Sequence, residues 1–156
     1  MWNRGHIKLT GTIRNLRSFV TTRLVALDRH GIMLSNAWES VIDKDGCFWT
    51  RNVSPVECFL VGSHKFIITT DDIAARGKSE DAVDTINLPF RKPGDIHAAD
   101  FLAMAKRFGL DINIYLGNYD QEVYHRVDIK DGEIVTDHSG EMGFHQPRII
   151  MRETYA

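Results

Sequence analysis

INIYLGNYDQEVYHRVDIKDGEIV, residues 112–135, packs three tyrosines, one histidine and five carboxylates into twenty-four positions. Such a density of polar side chains invites an active-site reading. Periodicity argues otherwise. Ile112, Ile114 and Leu116 alternate with polar neighbours, and Val123, Val127 and Ile129 keep the same phase, which is the repeat of strands with one buried face. Asp131-Gly132 between apolar runs predicts a hairpin turn. The carboxylates Asp120, Glu122, Asp128, Asp131 and Glu133 then fall at turns or on the wet side. Any function of this stretch belongs to a sheet surface rather than to a reaction centre.

The preceding segment is helical. Ala98, Phe101, Leu102, Ala105 and Phe108 recur at helical spacing, with Asp95 as the expected N-cap and Gly109 as the expected end, Leu110 folding back over the last turn. VDTINLPF (83–90) predicts a strand that stops at RKPGD. Near the start, HIKLTG (6–11) predicts a short strand. Ile13, Leu16, Phe19, Val20, Leu24 and Leu27 then predict a helix capped by Thr12 and running to about residue 28. Arg14 and Arg17 fall on its wet side, whereas Arg23 projects into the apolar stripe. Between these halves, VIDKDGCFW predicts a hairpin turned at Asp45-Gly46, with Trp38, Phe48 and Trp49 available for packing. VECFLV and HKFIITT flank Gly62-Ser63, read as a two-residue connection. TDDIAARG predicts one helical turn ended by Gly77, GKSEDA a polar loop, and RIIM a last edge strand.

In order this gives β-α-(insertion)-β-β-α-β followed by a further hairpin. The expected class is α+β: a ferredoxin-like antiparallel sheet with two helices on one face. One domain spans residues 1–156, with an insertion at about 30–55 and a C-terminal extension at about 119–156.

Composition sets the outer bounds. The chain is 43% hydrophobic and 26% charged, the proportions of a globular domain. No apolar run approaches the ~20 residues that cross a bilayer. The opening MWNRGHIKLTG lacks a secretory pattern, and Cys47 and Cys58 lack metal or redox spacing, so a cytoplasmic protein with reduced thiols is expected. Net charge is −2, but residues 1–29 hold six basic side chains against Asp28 alone.

Catalytic and ligand motifs are weak throughout. Gly77-Lys78-Ser79 lacks the earlier glycine of a phosphate loop, since Asp72 stands there. DKDG (43–46) does not continue as a calcium loop, because Ser54 occupies the position of the bidentate acid. The best transition-metal candidates are Asp137, His138, Glu141 and His145, but a loop reading of DHSGEMGFHQP gives them no shared face. Cys58 lies in phase with an apolar strand and reads as core rather than nucleophile, and no G-x-S-x-G is present. No metal and no cofactor are therefore expected.

Two binding surfaces are left. Tyr115, Tyr119 and Tyr124 lie on or beside strands, and Tyr115 is out of phase with Ile114 and Leu116, which places it on the sheet face away from the helices. Such a face suits unstacked bases, although the acidic net charge and the absence of basic-aromatic pairing in HIKLTG speak against nucleic acid. Arg23, Trp38 and Trp49 are the candidate anchors for a protein partner. The second sheet face must be covered by the insertion, by the C-terminal hairpin or by another copy of the chain, as in a homo-oligomer.

CFLVGSHKFIITTDD, VDTINLPFRKP and FLAMAKRFGLDINIYLGNYDQEVYHRVDIKDGEIV together resemble the C-terminal ferredoxin-like domain of the YubB-like family of plasmid and phage proteins. The opening WNRGHIKLTGTIRNLRSFV is similar to that family's N-terminal strand and helix. The resemblance implies a ferredoxin-like fold and a mobile-element origin, and it brings no catalytic residues with it. The expected function is a non-catalytic accessory protein that occupies a host or defence protein. A single-stranded nucleic-acid-binding module is the alternative, and a metal-dependent hydrolase stands third.

Overall fold

The computed structural model describes residues 2–28, 30–33, 38–42, 44, 47–52, 57–69 and 73–142. In chain order the elements are β1 (Trp2–Thr12), α1 (Ile13–Arg23), β2 (Leu24–Ala26), β3 (Trp38–Ile42), β4 (Phe48–Asn52), β5 (Glu57–Leu60) and β6 (Ile67–Thr69). There follow β7 (Ala75–Gly77), β8 (Val83–Pro93), α2 (Ala98–Phe108), β9 (Asp111–Asn118), β10 (Val123–Lys130) and β11 (Glu133–Glu141). Among the described residues, eight strands form one antiparallel sheet ordered β11-β10-β9-β1-β8-β6-β5-β2, and β3-β4-β7 form a smaller one.

The large sheet is organised about β1, which pairs antiparallel with both β8 and β9. Ile7 faces Leu88 on one side and Ile114 on the other, and Leu9 faces Ile86 and Ile112. These six side chains make two apolar rows across three strands, and α1 and α2 cover them. Ile13, Leu16, Phe19 and Val20 of α1 and Phe101, Met104, Ala105 and Phe108 of α2 are buried in the same core. The helices meet where Phe19 and Phe108 pack edge to face with ring centroids 5.4 Å apart. Gly5, on this helix side of β1, lies so close to β9 that an added Cβ would come within 1.8 Å of the Tyr115 carbonyl oxygen.

Several expectations change. The first helix ends at Arg23, because Leu24 and Ala26 keep their burial by alternating in a strand paired with Leu60 and Cys58. β1 and β8 extend beyond the predicted strands and pair along their whole length. The connection from β5 to β6 is six residues, 61–66, and it buries Phe66. Ala75–Gly77 is a strand paired with Phe48–Thr50, where a helical turn was expected. The N-cap of α2 is His97, without a side-chain cap bond; Asp95 instead accepts from the Ile96 N–H. Gly109 does end α2, with φ of 63° in the left-handed region that glycine enters without steric cost. The hairpin across Asp131-Gly132 is β10–β11, and it continues the main sheet beyond β9.

Part of the insertion forms the hairpin β3–β4 in register from Trp38↔Asn52 to Ile42↔Phe48, with Asp45-Gly46 and the RIIM tail outside the described residues. This small sheet packs against α1 through β4 and β7, and Trp38 Nε1 donates to the Leu24 carbonyl at 3.0 Å. Ion pairs anchor α1 to the adjoining loop: Arg14 to Glu80 and Asp81, and Arg17 to Glu80 at 2.8 Å. Among the described residues the insertion thus covers the outer side of α1 and leaves the opposite face of the large sheet open.

Candidate functional site: the open face of the sheet

Register carries the alternation across five strands. Arg91, Arg4, Gly117, Tyr124 and Gly140 are successive partners on β8, β1, β9, β10 and β11. The next row is Pro89, His6, Tyr115, Arg126 and His138, and the third is Asn87, Lys8, Asn113, Asp128 and Thr136. The intervening positions Ile7, Leu9, Leu88, Ile114 and Val127 belong to the core, so all three rows face away from the helices.

The face is cationic at its centre. Arg4 and Lys8 are exposed and, four residues apart on one strand, lie on the same side about 13 Å from each other. Neither has an ion partner among the described residues. Arg126 is engaged by Asp128 at 3.0 Å, and Asp128 also accepts from Asn113 at 2.7 Å. Arg91 pairs with Glu57 at 2.7 Å and lies 5.3 Å from the Trp2 ring centroid. Burial lowers the His6 pKa to about 4, which leaves that imidazole uncharged at neutral pH.

Aromatic side chains rim the same end. Trp2 is 48% exposed and Tyr119, in the turn after β9, is 51% exposed. Tyr119 and Met142 occupy the space above Gly117, where a Cβ would meet them at 3.5 and 3.0 Å. Tyr115 lies on this face but is 2% exposed, stacked on Tyr124 with centroids 5.9 Å apart. It supports Tyr124 from behind and cannot itself receive a base. Tyr124 leans over Gly140 and meets the tilted His138 ring at 5.6 Å.

On the helix side, a clasp joins three segments. His125 Nδ1 lies 2.8 Å from Asp95 and Nε2 lies 2.6 Å from Asp137. Ionised carboxylates only accept, so both ring nitrogens must donate and the ring is an imidazolium. Burial, the largest single influence, pushes its pKa down, but the hydrogen bonds to Asp137 and Asp95 with their charges outweigh it, and the net shift is upward. With both nitrogens engaged, His125 has no lone pair with which to take a substrate proton or bind a metal. A cleft of about 670 Å³ opens beside it, lined in part by Asn3, Leu116, Gln121 and Glu141.

The clasp makes a pH prediction. The folded pKa is raised above 6.5, so its contribution to stability is complete below that value and is lost as pH rises through the folded pKa. Between about pH 6 and about pH 9 the melting temperature of the wild type should fall by an increment absent from His125→Gln. Parallel curves for the two proteins would remove the clasp from the account.

The remaining sequence candidates disperse. Arg23 is half-buried at the end of α1 with its guanidinium 5.6 Å from the Phe108 ring. Trp38 packs on the core, and the Trp49 side chain lies outside the described residues. Asp137, His138 and Glu141 are in β11 rather than in a loop. Alternation sends His138 to the open face and Asp137 and Glu141 to the other, and His145 is outside the described residues. No cluster of three metal-ligating side chains forms among the described residues. Cys58 is wholly buried, and burial pushes its thiol up to about 11, which leaves little thiolate for chemistry. No helix among the described residues is long and apolar enough to cross a membrane.

Sequence reasoning counted Arg4 and Lys8 as charge without placing them. Their spacing in Arg4-Gly5-His6-Ile7-Lys8-Leu9, once read as one long strand, carries the signal. Compared with protein-family models, with curated proteins and with solved structures, the chain matches none.

Proposed function

We propose that the chain is a non-catalytic binding protein whose working surface is the open face of the large sheet. One observation carries this reading: the face opposite both helices presents Trp2, Arg4, Lys8, Asn87 and Arg126 to solvent, while the His125 imidazole on the other side is fully engaged within the fold. The scaffold is a ferredoxin-like core extended at both edges. Supporting it, β9-β1-β8-β6 are neighbours in that order, with α1 between β1 and the β5–β6 pair and α2 between β8 and β9. The wider setting is the one the family resemblance implies, an accessory protein of a plasmid or phage acting in the cytoplasm on a host or defence component.

The test is whether what the protein retains depends on that face. The full chain and its Arg4→Glu/Lys8→Glu variant are immobilised and exposed to the same bacterial lysate. At least tenfold lower recovery of the retained species on the variant supports the reading. A species retained equally by both moves the working surface elsewhere.

A further inference from the structure

We infer that the open face binds single-stranded nucleic acid, with phosphates on Arg4 and Lys8 and bases against Trp2 and Tyr119. This rests on the reading of that face as the working surface and names its ligand class. Charge complementarity is the first argument. Arg4 and Lys8 lie on the central strand β1, and their charges are not met by any carboxylate among the described residues, although acids elsewhere have drawn in Arg14, Arg17, Arg91 and Arg126. Both cations stand uncompensated in the middle of a sheet, and lysine in particular is depleted from protein interfaces. They suit a phosphate backbone, which supplies the missing anions and releases counterions on binding.

Geometry supplies the second argument. Trp2 and Tyr119 are exposed on either side of Arg4: Trp2 is two residues before it on the same strand, and Tyr119 covers Gly117, the β9 partner of Arg4. Bases stack on such rings only when they are free of a partner strand. The sheet offers no protruding helix or ribbon to enter a duplex groove. A single strand lying along β1 can place phosphates about 13 Å apart on the two cations and turn its bases toward the rings. The uncharged His6 between Arg4 and Lys8 adds no third cation at neutral pH.

Fluorescence anisotropy with labelled mixed-sequence oligonucleotides tests this on the full chain, using single-stranded DNA, single-stranded RNA and the DNA duplex across a salt series. Single strands of at least one sugar type should bind more tightly than the duplex, and a preference for RNA would mark a contact to the 2′-hydroxyl. Arg4→Ala/Lys8→Ala should shallow the log–log salt dependence by about 1.4 and weaken binding about 25-fold at 0.1 M salt. Trp2→Ala should weaken it at least about fivefold through lost stacking. Arg14→Ala, on the helix side, should leave it unchanged, and melting curves check that each variant is folded. The inference is overturned if neither single strand binds, if the duplex binds as tightly, or if the folded double variant binds like the wild type. Absence of oligonucleotide binding together with a lysate protein lost on Arg4→Glu/Lys8→Glu would overturn the nucleic-acid assignment and leave the binding surface standing.

Discussion

Among the described glycines, Gly5→Ala should be the most damaging change. The added Cβ would lie 1.8 Å from the Tyr115 carbonyl oxygen and 2.8 Å from its carbonyl carbon. Both are backbone atoms of β9, so no side chain can swing aside. Relief requires moving β1, which is bonded along its length to β8 on the other side. Overpacking a core costs typically 1–3 kcal/mol when side chains can adjust, so a clash with fixed backbone should cost about 3 kcal/mol or more. In a domain of this size each kcal/mol lowers the melting temperature by about 2–4 °C, so a fall of about 6–12 °C or outright failure to fold is expected. Gly31→Ala is the control. Gly31 has a positive φ, 78°, but nothing lies within 4 Å of its added Cβ, so only the backbone term of about 1–2 kcal/mol applies. If Gly5→Ala melts within two degrees or so of the wild type, the close approach of β1 and β9 is wrong.

Phe66→Ala should cost about 3–5 kcal/mol, the range for removing a buried aromatic ring. Phe66 lies outside every strand, yet it is 0% exposed. Its ring stacks on Phe90 of β8 with centroids 4.1 Å apart and meets Phe101 of α2 at 5.6 Å. Its carbonyl accepts from the Leu60 N–H at 2.9 Å, so the same residue closes the β5–β6 connection and joins sheet to helix. Urea unfolding should show the loss with little change in the slope against denaturant. Phe66→Leu, which keeps most of the volume, should recover most of it. A cost below about 1 kcal/mol for Phe66→Ala would mean that the loop does not seat the ring as described.

What the sequence made legible follows from where a single period dominates. In β9 the strict alternation of Ile112, Ile114 and Leu116 leaves one way to bury the strand, and the helix ending at Gly109 carries both its apolar stripe and its terminal glycine. Leu24 and Leu27 misled because their spacing continues the helical pattern of α1. Only the pairing of Leu24 with Leu60 and of Ala26 with Cys58 reveals that the chain has become a strand, and that pairing is remote in sequence. The same holds for Ala75–Gly77, a three-residue strand defined by its partner β4 rather than by its own composition. Asp137–Glu141 carries no apolar side chain at any of its five positions and so reads as a loop; its strand character comes from β10 alongside. The open face was legible only in part. The position of Tyr115 on it follows from phase, but its burial beneath Tyr124 depends on the neighbouring strand, and the basic row on β1 needed the full length of that strand.

The central position of β1 also bears on how the chain reaches this state. β1 is complete at Thr12, while its two partners begin at Val83 and Asp111, so Ile7 and Leu9 leave the ribosome long before either flanking strand can pair with β1. At about 5–20 residues per second this interval is roughly 4–20 s. The contacts that finally close around β1 are among the most distant in the sequence, which places the molecule among slow folders. A nascent chain that stops short of β8 offers a naked, half-apolar ribbon, and its fate in the cell rests with the chaperones that meet it first.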